Sequence, residues 1–248
     1  MPRKENIQQM FDSIAPGYDA FNHLTSLGAD RCWRRRALRE VVGPRVLDEA
    51  CGTGDFAITI AKMLAKKAEI AGRTGNDGSG SWSVTGVDIS EGMLEVMRRK
   101  VAEAWLDDAG CGAVSAETGD CCALSYPDAS FDTVTVAFGV RNFEDREKAL
   151  AEVLRVLRPG GRFVMLELGI PRNPVVRATY KFYFTRIMPL IGSGISKDKA
   201  AYRYLPASVL DFPKPEEWMA TMKKAGFAQV RHRPLSFGIC NLFTGERD

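Results

Sequence analysis

A short apolar run leads into a glycine turn at residues 45–55, RVLDEACGTGD. The run predicts a buried strand over 45–50, and the apolar periodicity after the turn predicts a helix over 55–66. The small residues of the turn let the backbone approach a ligand closely, and the free N–H groups at a helix start favour polar or anionic atoms. Residues 48–55 therefore form a candidate cofactor site.

Strand-like and helix-like segments alternate along the rest of the chain. The predicted strands cover 83–88, 114–117, 131–137, 161–168, 228–234 and 237–244, and the predicted helices cover 91–105, 145–157 and 215–225. This alternation predicts an α/β fold with a mostly parallel sheet and helices on both of its faces. Such a sheet binds ligands at the carboxyl ends of its strands, which is where the glycine turn lies.

The composition excludes several classes of protein. The chain has 248 residues, of which 45% are hydrophobic and 26% charged, as is typical of a folded domain and not of a disordered chain. A net charge of +3 does not indicate a clustered basic surface of the kind that binds nucleic acid, so no nucleic-acid partner is predicted. No apolar run has the length of a transmembrane helix or the form of a secretory signal, and the expected location is the cytoplasm.

The cysteines and histidines do not follow a metal-site pattern. The chain has six cysteines and two histidines, without a CxxC pair. We therefore expect unpaired thiols in a reducing compartment and no metal site. The adjacent Cys121 and Cys122 are the pair that would hold a metal if one were bound, an interpretation that we do not favour.

The acids around the turn indicate the charge of the cofactor. The third glycine of GxGxxG is missing, which argues against NAD, and Asp48, Glu49 and Asp55 disfavour a pyrophosphate. A cofactor with a cationic centre and an amino-acid tail suits these acids better, and S-adenosylmethionine has both features. Asp88, at the end of the second predicted strand, is placed to accept hydrogen bonds from two ribose hydroxyls.

Three further segments, taken in order after the turn, resemble a class I S-adenosylmethionine-dependent methyltransferase. They are TGDC at 118–121, SFD at 130–132 and LRVLRPGGRF at 154–163. The resemblance implies a Rossmann-like sheet of seven strands in a single methyltransferase domain. Its expected parts are an N-terminal helical cap over 1–43, a cofactor-binding core over 44–168, a helical insertion over 169–212, and a closing helix and strands over 213–248.

Longer stretches resemble one family, the quinone-biosynthesis C-methyltransferases of the menaquinone and ubiquinone pathways. They include MFDSIA at 10–15, LDEACGTGD at 47–55, FGVRN at 138–142, PLIG at 189–192 and AYRYLPAS at 201–208. The resemblance implies methylation of a ring carbon on a polyprenylated quinol, and the N-terminal sequence favours demethylmenaquinol. The alternatives are a methoxy-benzoquinol of ubiquinone biosynthesis, another small-molecule methyl acceptor, or a cofactor-binding subunit without turnover.

The turn, Asp88 and the resemblance together assign the cofactor site. Its predicted residues are Asp48, Ala50, Gly52, Thr53, Gly54, Asp88, Ile89, Asp120, Cys121 and Ala137. Two positions depart from the family pattern: Cys51 replaces a glycine, and Asp120-Cys121 replaces an asparagine-alanine pair that contacts adenine. The cysteine is still small and the aspartate still accepts hydrogen bonds, so the assignment stands.

Four residues are predicted to act on the quinol: Arg141, Asn142, Tyr18 and Asn22. A ring carbon becomes nucleophilic once the adjacent hydroxyl, which has a pKa of about 10, loses its proton. The Arg141 guanidinium stays protonated and can favour the phenolate. Its structural alternative is a salt bridge to Glu144 or Asp145.

The other predicted catalytic residues have structural alternatives as well. Asn142 is expected to orient the second quinol oxygen or to cap the following helix. Tyr18 and Asn22 are expected in a segment that folds over the site, where they contact the ring or hold a water; the alternative role of Tyr18 is packing alone. Asp19 and Glu167 are the candidate proton acceptors.

An aromatic and aliphatic stretch over 182–191 lies beside Lys181 and Arg186. It fits a channel for the polyprenyl tail at a membrane surface, although core packing and dimer contacts are commoner roles for such a stretch. The arginines at 34–36 fit either anionic headgroups or a solvated helix face. Peripheral membrane contact and a homodimer thus stay open, and residues 72–83, rich in Gly and Ser, are expected to form a surface loop.

Overall fold

Seven strands form one sheet in the order β3-β2-β1-β4-β5-β7-β6. The computed structural model describes residues 4–71, 81–106, 112–187 and 199–248. The strands are β1 Arg45–Glu49, β2 Trp82–Asp88, β3 Gly112–Thr118, β4 Phe131–Ala137, β5 Leu157–Leu168, β6 Ala228–Leu235 and β7 Cys240–Glu246. Strands β1 to β5 pair in parallel, whereas β7 runs antiparallel to β5 and β6. The predicted seven-stranded, mostly parallel sheet is confirmed.

Strand β1 lies in the interior of the sheet, between β2 and β4. Its residues Val46 and Leu47 are fully buried, as expected for a parallel strand that is covered on both faces. The chain moves outward to β3 on one side of β1 and then returns to β4 on the other. The order of the strands therefore reverses beside β1, and a crevice opens at the carboxyl ends of β1 and β4.

Nine helices surround the sheet in the part of the chain that the structure describes. They are α1 Lys4–Ile14, α2 Tyr18–Thr25, α3 Ala29–Ala37, α4 Asp55–Ile70, α5 Glu91–Glu103, α6 Arg146–Val156, α7 Pro174–Phe182, α8 Lys199–Asp211 and α9 Pro215–Lys224. Helices α3, α4 and α5 pack on one face of the sheet through Trp33, Phe56 and Met97. Helices α6 and α9 pack on the other face through Leu150 and Trp218.

The N-terminal helices and the segment after β5 contact each other. Phe21 of α2 packs with Phe184, in the helical turn after α7, and with Val209 of α8. Helix α1 is fixed to the start of α5, because Asp12 accepts hydrogen bonds from Ser90 Oγ (2.5 Å) and from the Gly92 N–H (3.1 Å). These contacts place two helical segments beside the crevice.

Two predicted strand starts differ from the structure by three residues or more. Strand β5 begins at Leu157, which already pairs with Phe131, so the Pro-Gly-Gly sequence lies within the strand and not before it. Strand β7 begins at Cys240 and not at 237, because Ser236–Gly238 form a turn in which Phe237 has φ 60°. Of the predicted surface loop, residues 72–80 lie outside the described residues, and Trp82 already belongs to β2.

In the described residues, no helix combines the length and the apolar character needed to cross a membrane.

Candidate functional site

The glycine turn connects β1 to α4 in a backbone conformation that suits glycine. Gly52 and Gly54 have φ values of 55° and 80°, in the left-handed region where a Cβ is strained. A Cβ on Gly54 would also lie 2.5 Å from Cγ of Met97. A Cβ on Gly52, in contrast, would meet only the Tyr18 ring, at 3.9 Å. The turn is thus packed on its inner side and open in front of Gly52.

Asp88 fixes this turn from the end of β2. Its Oδ2 accepts a hydrogen bond from the Gly52 N–H and its Oδ1 accepts one from the Ser90 N–H, both at 2.9 Å. The side chain is largely buried, and this burial raises its pKa in spite of the two backbone donors. Each carboxylate oxygen has a further lone pair, so Asp88 can still accept hydrogen bonds from a ligand.

A cleft of about 680 Å³ opens in front of the turn, and we call it the turn cleft. Seven of the predicted cofactor residues line it: Ala50, Gly52, Asp88, Ile89, Asp120, Cys121 and Ala137. The other three, Asp48, Thr53 and Gly54, do not line it. The Thr53 hydroxyl donates a hydrogen bond to Asp19, and Asp19 in turn forms an ion pair with Lys100 at 2.8 Å.

The acids beside the turn carry less charge than the sequence suggests. Asp48 is buried and accepts a hydrogen bond from Thr135 Oγ1 at 2.5 Å, and its Oδ2 has no partner among the described residues. Burial raises the pKa of Asp48 to about 7 and that of the fully buried Glu49 well above its usual range. Asp55 is paired with Lys100 at 2.5 Å. The sequence argument for an acidic cofactor site is therefore weakened. Asp48 is the one of these three acids that is buried and has a pKa near neutrality.

Helix α1, in the segment that was expected to cap the site, lines one side of the turn cleft, but the sequence did not indicate its contact with Asp120. Lys4, Ile7 and Phe11 line the cleft, and Lys4 Nζ lies 2.6 Å from Asp120 Oδ2. Burial opposes ionisation of Asp120, but hydrogen bonds from Lys4 and from the Cys122 N–H lower its pKa overall. The carboxylate that was predicted to meet adenine is thus charged and held by the N-terminal helix.

A second cavity, of about 520 Å³, lies beside the first, and we call it the aromatic cavity. Its walls come from α2, α3, α7, the end of β4 and the turn before β7, and they include Tyr18, Asn22, Trp33, Phe138, Arg141, Tyr180, Tyr183 and Phe184. Tyr18 and Phe138 line both cavities and therefore mark their junction. Phe138 has φ 65°, an uncommon conformation for a bulky residue and one that is concentrated at functional sites.

Arg141 lies in the wall of the aromatic cavity and is almost fully buried. Its Nη1 donates to Glu167 Oε1 at 2.7 Å and to the carbonyl oxygen of Phe138. Nε has no acceptor among the described residues. Burial opposes the charge, but Glu167 more than offsets it and raises the pKa of Arg141, so the guanidinium stays charged.

Two expectations need correction: the salt bridge of Arg141 to Glu144 or Asp145, and the role of Glu167 as a proton acceptor. The partner of Arg141 is Glu167, and neither Glu144 nor Asp145 pairs with it; Asp145 caps α6 by accepting from the Lys148 N–H. Glu167 accepts hydrogen bonds from Arg141 and from the Leu168 N–H inside the protein, which argues against its role as a proton acceptor.

Asn142 and Asn22 each bond to a tyrosine. Tyr204 donates its hydroxyl to Asn142 Oδ1 at 3.1 Å, and Asn142 lines the turn cleft without capping α6. Asn22 lines the aromatic cavity and shares a hydrogen bond with Tyr18. Burial raises the pKa of Tyr18, which therefore stays protonated at neutral pH. All four predicted catalytic residues thus lie at the two cavities or at their junction.

This geometry can bring a polar ligand in the turn cleft against an aromatic ligand in the second cavity. A charged, largely desolvated guanidinium stands in the wall of the second cavity, where it can stabilise a negative oxygen. The apolar walls exclude water and strengthen that interaction.

Several curated relatives match nearly the whole chain. "Ubiquinone/menaquinone biosynthesis C-methyltransferase UbiE" of Geobacter sulfurreducens is 44% identical over 98% of this chain and 89% of its own length. "Demethylmenaquinone methyltransferase" of Bacteroides fragilis is 41% identical over 99% and 94%, and that of Deinococcus radiodurans is 43% identical over 97% and 92%.

Solved structures show the same fold at low sequence identity. A SAM-dependent methyltransferase from Thermotoga maritima, described as a possible histamine N-methyltransferase, has a TM-score of 0.63 at 20% identity, over 97% of this chain and 99% of that one. A putative S-adenosyl-L-methionine-dependent methyltransferase from Methanococcus maripaludis has a TM-score of 0.64 at 14% identity, over 95% and 93%. The fold class predicted from the sequence is confirmed.

A model of one protein family matches almost the whole chain. The model of the ubiE/COQ5 methyltransferase family matches residues 2–247, which include the N-terminal helices, the glycine turn, Arg141 and the segment after β5. The chain therefore belongs to the ubiE/COQ5 methyltransferase family.

Proposed function

We propose that this protein transfers a methyl group from S-adenosylmethionine to a ring carbon of a polyprenylated quinol, with demethylmenaquinol as the substrate and menaquinol as the product. The observation that carries the proposal is the buried Arg141 guanidinium in the wall of an apolar cavity that meets the turn cleft. The names of the relatives from Bacteroides fragilis and Deinococcus radiodurans support the naphthoquinol substrate. The benzoquinol precursor of ubiquinone is the second candidate, because the Geobacter sulfurreducens name covers both pathways.

The turn cleft fits S-adenosylmethionine. The space in front of Gly52 is free of side-chain atoms up to the Tyr18 ring, so backbone can approach the ligand there. Asp88 faces the cleft with spare lone pairs for ribose hydroxyls, and Asp120, with Cys121, is placed for the adenine. Asp48 has an unpartnered buried oxygen behind the turn, which suits a cationic amino group reached directly or through a water. When bound, S-adenosylmethionine supplies an electrophilic methyl group.

The aromatic cavity would activate the quinol. Arg141 favours the deprotonated oxygen of the ring and so increases electron density on the adjacent carbon. Glu167 holds the guanidinium in place, and Tyr18 and Phe138 hold the ring at the junction of the cavities. The quinol hydroxyl loses its proton to water, because the carboxylates of Asp19 and Glu167 are already engaged with Lys100 and Arg141. After the methyl transfer, the methylated ring carbon loses its hydrogen to water as a proton, which restores the aromatic ring. The quinol oxygen then regains a proton, so one proton is released for each methyl group transferred.

The decisive experiment uses both quinol classes. The purified protein is incubated with S-adenosylmethionine and short-chain demethylmenaquinol, or with the corresponding methoxy-benzoquinol, and the products are analysed by mass spectrometry. We expect a gain of one CH2 on demethylmenaquinol. Methylation of the benzoquinol alone would reverse the choice of pathway, and methylation of neither substrate would refute the proposal.

We also propose that the protein contacts the membrane at the mouth of the aromatic cavity, where a polyprenyl tail would enter. Leu27 and Phe237 are 83% and 80% exposed, and Val175 is exposed beside them on the rim of the same cavity. Leu27 and Phe237 have φ values of 51° and 60°, a backbone conformation that is uncommon for residues other than glycine and is concentrated at functional sites. Part of the predicted tail channel, residues 188–191, lies outside the described residues.

Two helices next to this rim carry exposed positive charge. Arg31 and Arg35 lie on α3, which begins two residues after Leu27, and Arg177 and Lys181 lie on α7, which also carries Val175. Basic side chains beside exposed apolar ones are typical of a surface that binds anionic lipid.

Vesicle flotation tests this surface. Vesicles containing anionic phospholipid should bring the wild-type protein to the top fraction, and Leu27→Ser with Phe237→Ser should reduce this fraction severalfold. Trp105→Ser is the matched control, because Trp105 is also 83% exposed but lines neither cavity. Equal loss in the control, or no loss in the double variant, would contradict the proposal.

We propose that the cap over 1–43 and the insertion over 169–212 act together with the core as one unit, since both contribute side chains to the aromatic cavity. The cytoplasmic location and the homodimer stay predictions. Light scattering of the purified protein would test whether it forms a homodimer.

A further inference from the structure

The aromatic cavity contains one tyrosine hydroxyl without a role. Tyr180 lies on α7 and lines the cavity, with its ring 4.5 Å from that of Phe184. Its hydroxyl oxygen is buried and has no hydrogen-bond partner among the described residues. Buried polar atoms are usually paired, so an unpaired hydroxyl in a ligand-sized cavity calls for a partner that the folded chain does not provide.

The other tyrosines whose side chains the structure describes around the two cavities, Tyr18, Tyr183 and Tyr204, have hydrogen-bond partners. Tyr18 shares a hydrogen bond with Asn22. Tyr183, one turn after Tyr180, donates its hydroxyl to the Thr25 carbonyl at 2.9 Å, and Tyr204 donates to Asn142. Tyr180 therefore differs from its neighbours in having a hydroxyl that is free to bond a ligand.

Two further observations define what kind of ligand atom this hydroxyl would meet. Burial raises the pKa of Tyr180, so the group stays protonated and available as a donor at neutral pH. The positive charge of Arg141 acts on the same hydroxyl, which places both groups in one region of the cavity. A donor beside a guanidinium suits an oxygen that carries negative charge.

We propose that Tyr180 donates a hydrogen bond to the quinol oxygen that loses its proton, and that Tyr180 and Arg141 together stabilise the resulting oxyanion. The inference rests on the proposed function and extends it by a second donor to the same oxygen. Tyr180 remains a neutral phenol throughout and transfers no proton; the hydroxyl proton of the quinol still leaves to water. The hydrogen bond would be stronger to the phenolate than to the neutral hydroxyl, which is the condition for increasing the rate.

The test removes only the hydroxyl, with Tyr180→Phe. With short-chain demethylmenaquinol we expect kcat to fall about 10²-fold, the lower end of the range for losing one donor to an oxyanion. The Kd of S-adenosylmethionine should be unchanged, because Tyr180 does not line the turn cleft. Tyr126→Phe is the matched control: its hydroxyl donates to Glu117 at 2.8 Å, outside both cavities, and kcat should stay within about twofold of wild type.

A second readout separates this role from a structural one and does not require turnover. A hydroxynaphthalene bound in the cavity is titrated by its phenolate absorbance, and the wild-type protein should lower its pKa. Tyr180→Phe should raise that bound pKa by about one unit for each tenfold loss of preference for the phenolate. A thermal melt checks that the variant is folded.

The outcomes distinguish the two proposals. If wild type methylates neither quinol, the proposed function fails, while the hydroxynaphthalene titration still decides whether Tyr180 stabilises a phenolate. If wild type is active but Tyr180→Phe changes only KM, or leaves both kcat and the bound pKa unchanged, the inference about Tyr180 is wrong.

Discussion

Glu167 Oε1 lies 2.7 Å from Nη1 of Arg141, and both side chains are buried. Glu167 lies one residue before the end of β5, and its other oxygen accepts from the Arg141 N–H at 3.1 Å. One carboxylate therefore fixes both the backbone and the guanidinium of the residue that we place at the quinol oxygen. Neither partner can be removed without leaving a buried charge unpaired.

The first prediction concerns this anchor. Glu167→Gln removes the charge but keeps the shape, and we expect the free energy of unfolding to fall by up to about 3–5 kcal/mol, the range for breaking a buried pair. Urea denaturation measures this change. Glu147→Gln is the control, because Glu147 and Lys224 form an exposed pair at 3.1 Å, of a kind worth at most about 1 kcal/mol. Equal effects of the two substitutions would contradict the predicted role of Glu167.

The second prediction concerns Arg141 itself. Arg141→Lys keeps the positive charge but loses the planar fork, so the ammonium cannot bond Glu167 and the quinol oxygen in the same geometry. We expect kcat on demethylmenaquinol to fall roughly 10²–10³-fold, while the Kd of S-adenosylmethionine stays near wild type. Arg158→Lys is the control, since Arg158 pairs with Asp132 away from both cavities. Turnover close to wild type in Arg141→Lys would refute the oxyanion role.

Most of the fold could be predicted because its signals are local. The apolar run of β1, the glycine turn and the periodicity of α4 are adjacent in the chain, and parallel strands that alternate with helices leave few possible topologies. The start of β5 was misplaced because Pro-Gly-Gly normally ends an element, whereas here Leu157 pairs with Phe131 before that sequence.

The candidate site was only partly predictable because its remaining contacts join distant residues. Lys4 and Asp120 are 116 residues apart, and no periodic pattern connects them. The pairing of Arg141 with Glu167 depends on β4 and β5 being neighbours in the sheet. Tyr180 precedes the stretch interpreted as a tail channel, and sequence alone does not distinguish a tyrosine with a bonded hydroxyl, such as Tyr183, from one without.

The third prediction tests the ribose contact. Asp88→Ala removes the carboxylate that faces the turn cleft and that also holds the Gly52 N–H. We expect the affinity for S-adenosylmethionine to fall by about tenfold or more in isothermal titration calorimetry, since hydrogen bonds to a charged acceptor contribute about 1.5–3 kcal/mol. Asp128→Ala, at a mostly exposed carboxylate remote from the cleft, should leave the affinity unchanged. Unchanged affinity in Asp88→Ala would remove this residue from the ribose role.

The last prediction concerns the pH dependence of cofactor binding. Burial raises the pKa of Asp48 to about 7, although the Thr135 hydrogen bond and Arg34 oppose the shift and Asp88 adds to it. The carboxyl is therefore mainly neutral below about pH 7 and charged above it, and only the charged form attracts the cationic amino group of S-adenosylmethionine. We expect affinity to rise as the pH increases from about 6 to about 8, by at most tenfold per pH unit below the pKa. Asp48→Asn should flatten this profile.

Two controls make the assignment of this pH effect to Asp48 specific. His23 carries an ionisable imidazole that contacts Asp30 and Asp55, so it is the control position, and His23→Asn must retain the wild-type slope. Calorimetry in two buffers with different heats of ionisation should also detect proton release when S-adenosylmethionine binds near pH 6, because the bound cation favours the charged carboxylate. Loss of the slope in His23→Asn, or a slope that persists in Asp48→Asn, would show that another group controls binding. If Asp48→Asn alone shows a flat pH profile and no proton release, the titrating carboxyl is that of Asp48.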